Sequence, residues 1–259
     1  MDRIDRRLTR PAVLLLASAL LATLGACGDG GRGAGQTAGR LRTPQEALRA
    51  AAPDQDTAFR YTLSDADSTG AGAREPAAGR GYAEFSPRAD GDRLVVQTRF
   101  LKVDKDLWTR ITASRKITGF DVPSTWLRID PAKVTRTDLL AEFAGDPTGA
   151  TALLAHTGEV VGEGAAYRGT VDLVALADPA VVPAETVAAL GPAAAAVPFV
   201  AEVDDQNRLS RLELKVPAAG RARAYSRVAT YSGYGAPDVP AAPAAAADAP
   251  GPVYDLLNE

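Results

Sequence analysis

A chain of 259 residues with 46% hydrophobic and 24% charged residues is long enough to bury a core of ordinary globular size, although aromatic residues make up only 6%. The net charge is −3; the first 26 residues carry four Arg and two Asp, a charge of +2, so the remainder carries −5 and has no broad pull on a phosphate backbone, which argues against a nucleic-acid partner. The single cysteine, Cys27, excludes an internal disulfide and a thiolate zinc cluster, and the single histidine, His156, excludes a histidine-rich metal site within one monomer.

The first ten residues carry Arg3, Arg6, Arg7 and Arg10, and residues 11–24 (PAVLLLASALLATL) form an apolar run. A basic segment followed by an apolar run of this length reads as a signal peptide over 1–26. The run is shorter than the roughly 20 apolar residues of a membrane-spanning helix. It ends in Leu24, Gly25, Ala26 and Cys27, the pattern of a bacterial lipobox in which the cysteine is acylated before cleavage. Two acyl chains hold a protein on a bilayer where one binds only marginally, because each buried CH₂ contributes about 0.8 kcal/mol. Cys27 is therefore expected to be a lipid anchor, of the palmitate type, on the extracytoplasmic face of the cell membrane. Residues 27–42 are glycine-rich and read as a flexible tether.

The expected folded domain is 43–235. Thr43, Pro44 and Glu46 fit a capping box that opens a short helix, with Ala47, Leu48 and Ala51 on its apolar face. Period-two patterns then predict strands at 58–63, 81–85, 93–103, 107–111 and 126–129. Residues 65–79 read as a polar, glycine-rich loop, and 104–106 as a turn. Helices are predicted over 138–143 and from Asp146, an N-cap, to a stop at Gly158. Further strands follow from Glu159, at 167–173 and at 197–203, with a short helix over 183–190. Residues 204–207 make a hairpin turn. In the next strand Leu212, Leu214 and Val216 face a core, while Arg211, Glu213 and Lys215 face water. A last strand spans 223–231. Residues 236–259 read as an Ala/Pro-rich C-terminal tail, extended and mobile over 236–252, with 253–257 either docked or frayed.

No catalytic constellation is visible. His156 sits near the end of a predicted helix, where a histidine more often caps carbonyls than acts as a base. The neighbouring carboxylates Asp54 with Asp56 and Asp204 with Asp205 fall in turns, where aspartate binds its own backbone. No Gly-x-Ser-x-Gly elbow is present, and the glycines around Gly162 and Gly164 lack the ending of a phosphate loop. Trp108 and Trp126 either fill a core or line a ligand site.

A series of motifs then carries a resemblance. The lipobox and tether precede a Thr-Pro helix start. There follow 100–111 (FLKVDKDLWTRI), 126–131 (WLRIDP), Asp146 with Pro147, Gly162 leading to 167–173 (YRGTVDL), 199–205 (FVAEVDD) before 209–212 (LSRL), and 231–237 (YSGYGAP). In this order the chain resembles, over roughly 43–243, the LppX/LprG-type lipoproteins of actinobacteria, whose fold is similar to that of the lipoprotein carrier LolA. Residues 115–123 and the alanine run at 193–196 depart from the family pattern.

The resemblance implies an α+β fold, a curved antiparallel half-barrel sheet wrapped around a few short helices. It implies that the chain binds lipid or glycolipid acyl chains in an apolar cavity and carries them through the cell envelope. It names no ligand-binding residues. The alternative is a scaffolding or sensing lipoprotein with a filled core and an envelope protein as partner. On either reading the expectation is a non-enzymatic monomer, with no catalytic residue, metal or cofactor.

Overall fold

The computed structural model describes residues 42–88, 94–115, 123–135 and 145–258. The lipobox residues Leu24, Gly25, Ala26 and Cys27, most of the tether, and the helix expected over 138–143 lie outside them.

Twelve strands form one sheet: β1 (Phe59–Ser64), β2 (Ser68–Glu75), β3 (Arg80–Pro87), β4 (Val96–Val103), β5 (Asp106–Ala113), β6 (Leu127–Ile129), β7 (Thr157–Glu163), β8 (Ala166–Val171), β9 (Val197–Val203), β10 (Leu209–Val216), β11 (Tyr225–Ser232) and β12 (Ala247–Asp248). Their order is β12-β6-β5-β4-β3-β2-β1-β11-β10-β9-β8-β7. Every pair is antiparallel except β12 with β6. The sheet is curved and does not close, so the fold is α+β with an open, antiparallel-dominated sheet and few helices.

Strand register puts one row of side chains after another on a common inner face, because side chains alternate with period two. One row runs Phe59, Arg74, Gly81, Lys102, Leu107 and Ile129 across β1 to β6. The next runs Tyr61, Gly72, Ala83, Phe100, Thr109 and Leu127. Toward β7 the inner face continues through Tyr231, Leu212, Ala201 and Tyr167.

Helices cover this face. In α1 (Pro44–Ala51) the Thr43 hydroxyl accepts the Glu46 N–H and the Glu46 carboxylate accepts the Thr43 N–H, closing the capping box. Its Leu48 is 1% exposed in a cluster with Phe59, Leu212, Leu214 and Phe199. Burying a leucine fully stabilises by about 1.5–3 kcal/mol. Helices α2 (Ala150–Ala155), α3 (Leu173–Leu176) and α4 (Ala184–Leu190) add Leu153, Leu154, Leu173 and Leu190 to the same cluster.

Two sequence expectations are corrected. Residues 65–79 are not a loop, since 68–75 form β2. Glycine and alanine disfavour a strand in isolation, but β2 is hydrogen-bonded on both sides by β1 and β3, and tertiary pairing overrides the propensity. The second helix begins at Ala150, four residues after Asp146, and stops at Ala155, with His156 as C-cap and Gly158 already in β7. Asp146 still acts locally: its carboxylate accepts the N–H groups of Thr148 and Thr151 at 3.0 and 2.9 Å.

The C-terminal segment wraps the sheet. Val239 is 5% exposed on the outer face against Ala73, Leu101 and Trp108. Arg60 binds the Pro237 carbonyl and Asp238, and Arg80 donates to the carbonyls of Val239 and Pro240. The chain then pairs with β6 as β12, which covers that sheet edge. It ends on the inner face as α5 (Gly251–Asn258), where Val253 and Leu257 meet Phe100, Ile111 and Leu127. Tyr254 Oη accepts the Asp130 N–H at 2.9 Å, and the Asn258 side chain binds Thr135 N–H and Lys133 C=O.

Candidate functional site

The inner face holds two apolar clusters. One lies over β7–β11 and β1 with helices α1–α4, the other over β4–β6 with α5. Between them the floor over β2 and β3 is made of Gly70, Gly72, Gly81 and Ala83, flanked by Phe85 and Phe100. These residues project little or nothing, and Gly72, Gly81 and Ala83 are buried, so the strip is covered where they stand. The Tyr61 ring lies over Gly72: a Cβ built there would stand 2.4 Å from Tyr61 Oη.

At one end of this strip, where η1 (Pro76–Ala78) joins β2 to β3, lies a cleft of about 370 Å³. Arg74, Arg80 and Lys102 line it, with Gln55 and Asp56 opposite. Arg74 and Lys102 belong to the inner row and flank Gly81. Arg74 is 4% exposed; its two Nη atoms donate to the carbonyls of Gly145 and Gln55, and its Nε has no partner. Lys102 Nζ donates to the Gly79 carbonyl at 3.4 Å. Arg80 stands 3.5 Å from Glu75. A second cleft, of about 650 Å³, lies between the β1–β2 turn and α4 and carries Asp65, Asp67 and Glu185 against Arg223.

On the outer face Glu84 collects three donors: Arg99 Nε at 2.7 Å, Tyr82 Oη at 2.6 Å and Gln97 Nε2 at 2.6 Å. Burial alone would raise the Glu84 pKa, but the bonds from Arg99 and Tyr82 outweigh it and hold the carboxyl below its usual range. Burial, and secondly the bond to Glu84, push the Tyr82 phenol up to about 12. Buried at the inner face, Tyr231 is raised well above the ordinary phenol value, chiefly by desolvation.

The residues singled out in the sequence are scattered. His156 is the C-cap of α2, and its carbonyl accepts the Asp172 N–H at 3.0 Å. Asp54 Oδ1 accepts the N–H of Asp56 and the Thr57 hydroxyl. Asp204 accepts Gln206 and Arg208 N–H groups and pairs with the Arg208 guanidinium at 2.7 Å. Both behave as turn formers. Trp108 and Trp126 sit together in the outer-face cluster under Val239, away from the inner strip. Among the described residues no group of three or more His, Cys, Asp and Glu is placed to hold a metal ion, and no helix is long and apolar enough to cross a membrane. The basic cleft was missed in the sequence because the alignment of Arg74 with Lys102 depends on β2, which reads there as a loop. No protein-family model and no curated protein matches the chain.

Proposed function

We propose that the protein is a lipoprotein held on the extracytoplasmic face of the cell membrane through Cys27, and that it binds the acyl chains of a lipid or glycolipid and carries them through the envelope. The observation that carries this reading is the inner face of the sheet. It is apolar on both flanks, floored by Gly70, Gly72, Gly81 and Ala83 between them, and belongs to a sheet that does not close. An open antiparallel sheet with short helices on its inner face also supports the LolA-like, half-barrel reading. Pockets for apolar ligands are mostly apolar, with a few polar groups that fix orientation.

Native mass spectrometry of the full chain extracted from membranes tests the proposal. The expected result is a population heavier than the lipidated protein by the mass of one lipid. A bare protein, with lipid titration producing no adduct, overturns it. The packing of α5 over β4–β6 favours a second reading, an envelope scaffolding module with a filled core. That reading expects no lipid adduct and the loss of a bound protein partner when residues 244–259 are removed.

A further inference from the structure

We infer that the free edge of β7, from Glu159 to Glu163, is a strand-addition site for an extended segment of a partner protein, one that carries basic residues on either side of an apolar residue. The inference is independent of the lipid-binding reading. β7 stands last in the strand order, with β8 as its one neighbour. At the other end of the sheet the chain lays its own β12 against β6. The unpaired N–H and C=O groups of an edge strand are a template for another extended chain, and main-chain hydrogen bonds then supply affinity while side chains supply specificity.

The protein caps only the start of this edge. Gln45 Nε2, from α1, donates to the carbonyls of Thr157 and Gly158 at 2.7 and 3.1 Å. Pro44 lies over the inner face of the same strand, its Cβ 3.5 Å from where a Cβ on Gly162 would stand. On the outer face Glu159, Val161 and Glu163 alternate, and all three are exposed. Val161 is 62% exposed and is one of two large apolar side chains so exposed among the described residues. Natural edges are often blunted by lysine, proline or a bulge. β7 contains neither residue, and its register irregularity lies between Thr157 and Val160, at the capped end.

Charge selects the occupant. Among the described residues neither Glu159 nor Glu163 makes an ion pair. Arg168 stands opposite Val161 on β8 and offsets one of the two carboxylates at most. Two copies of β7 paired antiparallel about Val161 would set Glu159 of each against Glu163 of the other. Like charges directly opposite one another destabilise a strand pair, so this edge discriminates against its own copy. A segment with Lys or Arg two residues before and two residues after an apolar side chain reverses the sign at both positions and lays its apolar residue on Val161.

The test uses the full chain in detergent with three fluorescent heptapeptides, read by anisotropy: TKTVTKT, its acidic counterpart TETVTET, and TKTVTKT with its backbone nitrogens methylated. TKTVTKT should bind about tenfold more tightly than TETVTET, the product of a few modest cross-strand charge pairs. Methylation should abolish binding, because it removes the main-chain donors that strand addition needs. The double variant Glu159→Lys, Glu163→Lys should reverse the preference between the basic and acidic peptides; if it fails to fold, the three peptides on the wild-type chain still decide the matter. Equal binding of the basic and acidic peptides overturns the proposal, as does a methylated peptide that binds as well as its parent. Binding of none of the three overturns it too, and a chain that is then dimeric by native mass spectrometry, with amides 159–163 protected from hydrogen exchange, assigns the edge to a second copy instead.

Discussion

The ring of Phe199 lies across the backbone of Gly169 on the inner face: a Cβ placed on Gly169 would stand 2.9 Å from Phe199 Cε1 and 2.5 Å from the Glu159 carbonyl oxygen. The ring can shift, but the carbonyl is backbone of the neighbouring strand β7, next to the paired Val160. Gly169→Ala should therefore cost about 2–3 kcal/mol, the upper range for overpacking. In a domain of this size that lowers Tm by about 4–12 °C. A thermal melt within 1 °C of the wild type would contradict the close approach of these strands.

The terminal helix closes the second apolar cluster. Leu257 is 6% exposed against the floor of β4–β6. Leu257→Ala should destabilise by about 2–3 kcal/mol, within the range for buried leucine truncation. Ending the chain at residue 248 should do more, uncovering Phe100, Ile111 and Leu127 and increasing the binding of an apolar dye. A truncated protein that melts like the parent and binds no dye would show that α5 does not seal this half.

The reach of sequence reasoning can be judged from particular residues. The Thr43–Glu46 capping box and the inward set Leu212, Leu214 and Val216 follow from local rules, and the structure places them as expected, while the turn expected over 104–106 is confined to Asp104 and Lys105, with Asp106 already in β5. β2 was invisible because its residues satisfy no local strand preference; it exists through pairing with strands on either side. The cleft was invisible for the same reason, since no spacing within 74–102 brings Arg74 beside Lys102 without that pairing. The start of α2 moved from Asp146 to Ala150 because Asp146 spends its carboxylate on the turn at Thr148 and on Thr151. Gly72 reads as a flexible residue, yet its place is fixed by Tyr61, which no local pattern reveals.

Glu84 and Tyr82 set opposite limits on the stable pH range. Tyr82 is neutral in the fold, and its pKa rises from the ordinary 10 to about 12. Its contribution is therefore fully present below pH 10 and is lost as pH rises toward 12. Glu84 is ionised, with a depressed pKa, so its contribution is present above the ordinary 4.5 and is lost as pH falls. Urea midpoints measured across pH should fall on both sides. Tyr82→Phe should flatten the alkaline limb, with a residual slope from Tyr231 and Tyr234, and Glu84→Gln should flatten the acid limb. Unchanged slopes in both variants would remove this pair from the pH response.

Anchoring at Cys27 has a direct readout. Cys27→Ala should move the protein from the membrane to the soluble extracytoplasmic fraction and abolish incorporation of labelled palmitate. The melting temperature of the domain should stay unchanged, since the predicted role of Cys27 is attachment alone. A variant that stays in the membrane fraction would place the anchor elsewhere.

The path of the C-terminal strap bears on when the fold is complete. The hydrogen bonds that fasten α5 join residues 123 to 125 positions apart. Contacts this distant in sequence form late, because the intervening chain must be closed before they are rewarded. Until Val253 and Leu257 arrive, the apolar side of β4–β6 stands open, and any chain ending short of them displays that surface to chaperones and proteases. The docking of α5 is thus the step that hides the second core, and the order of folding is written into the distance between the two halves of that contact.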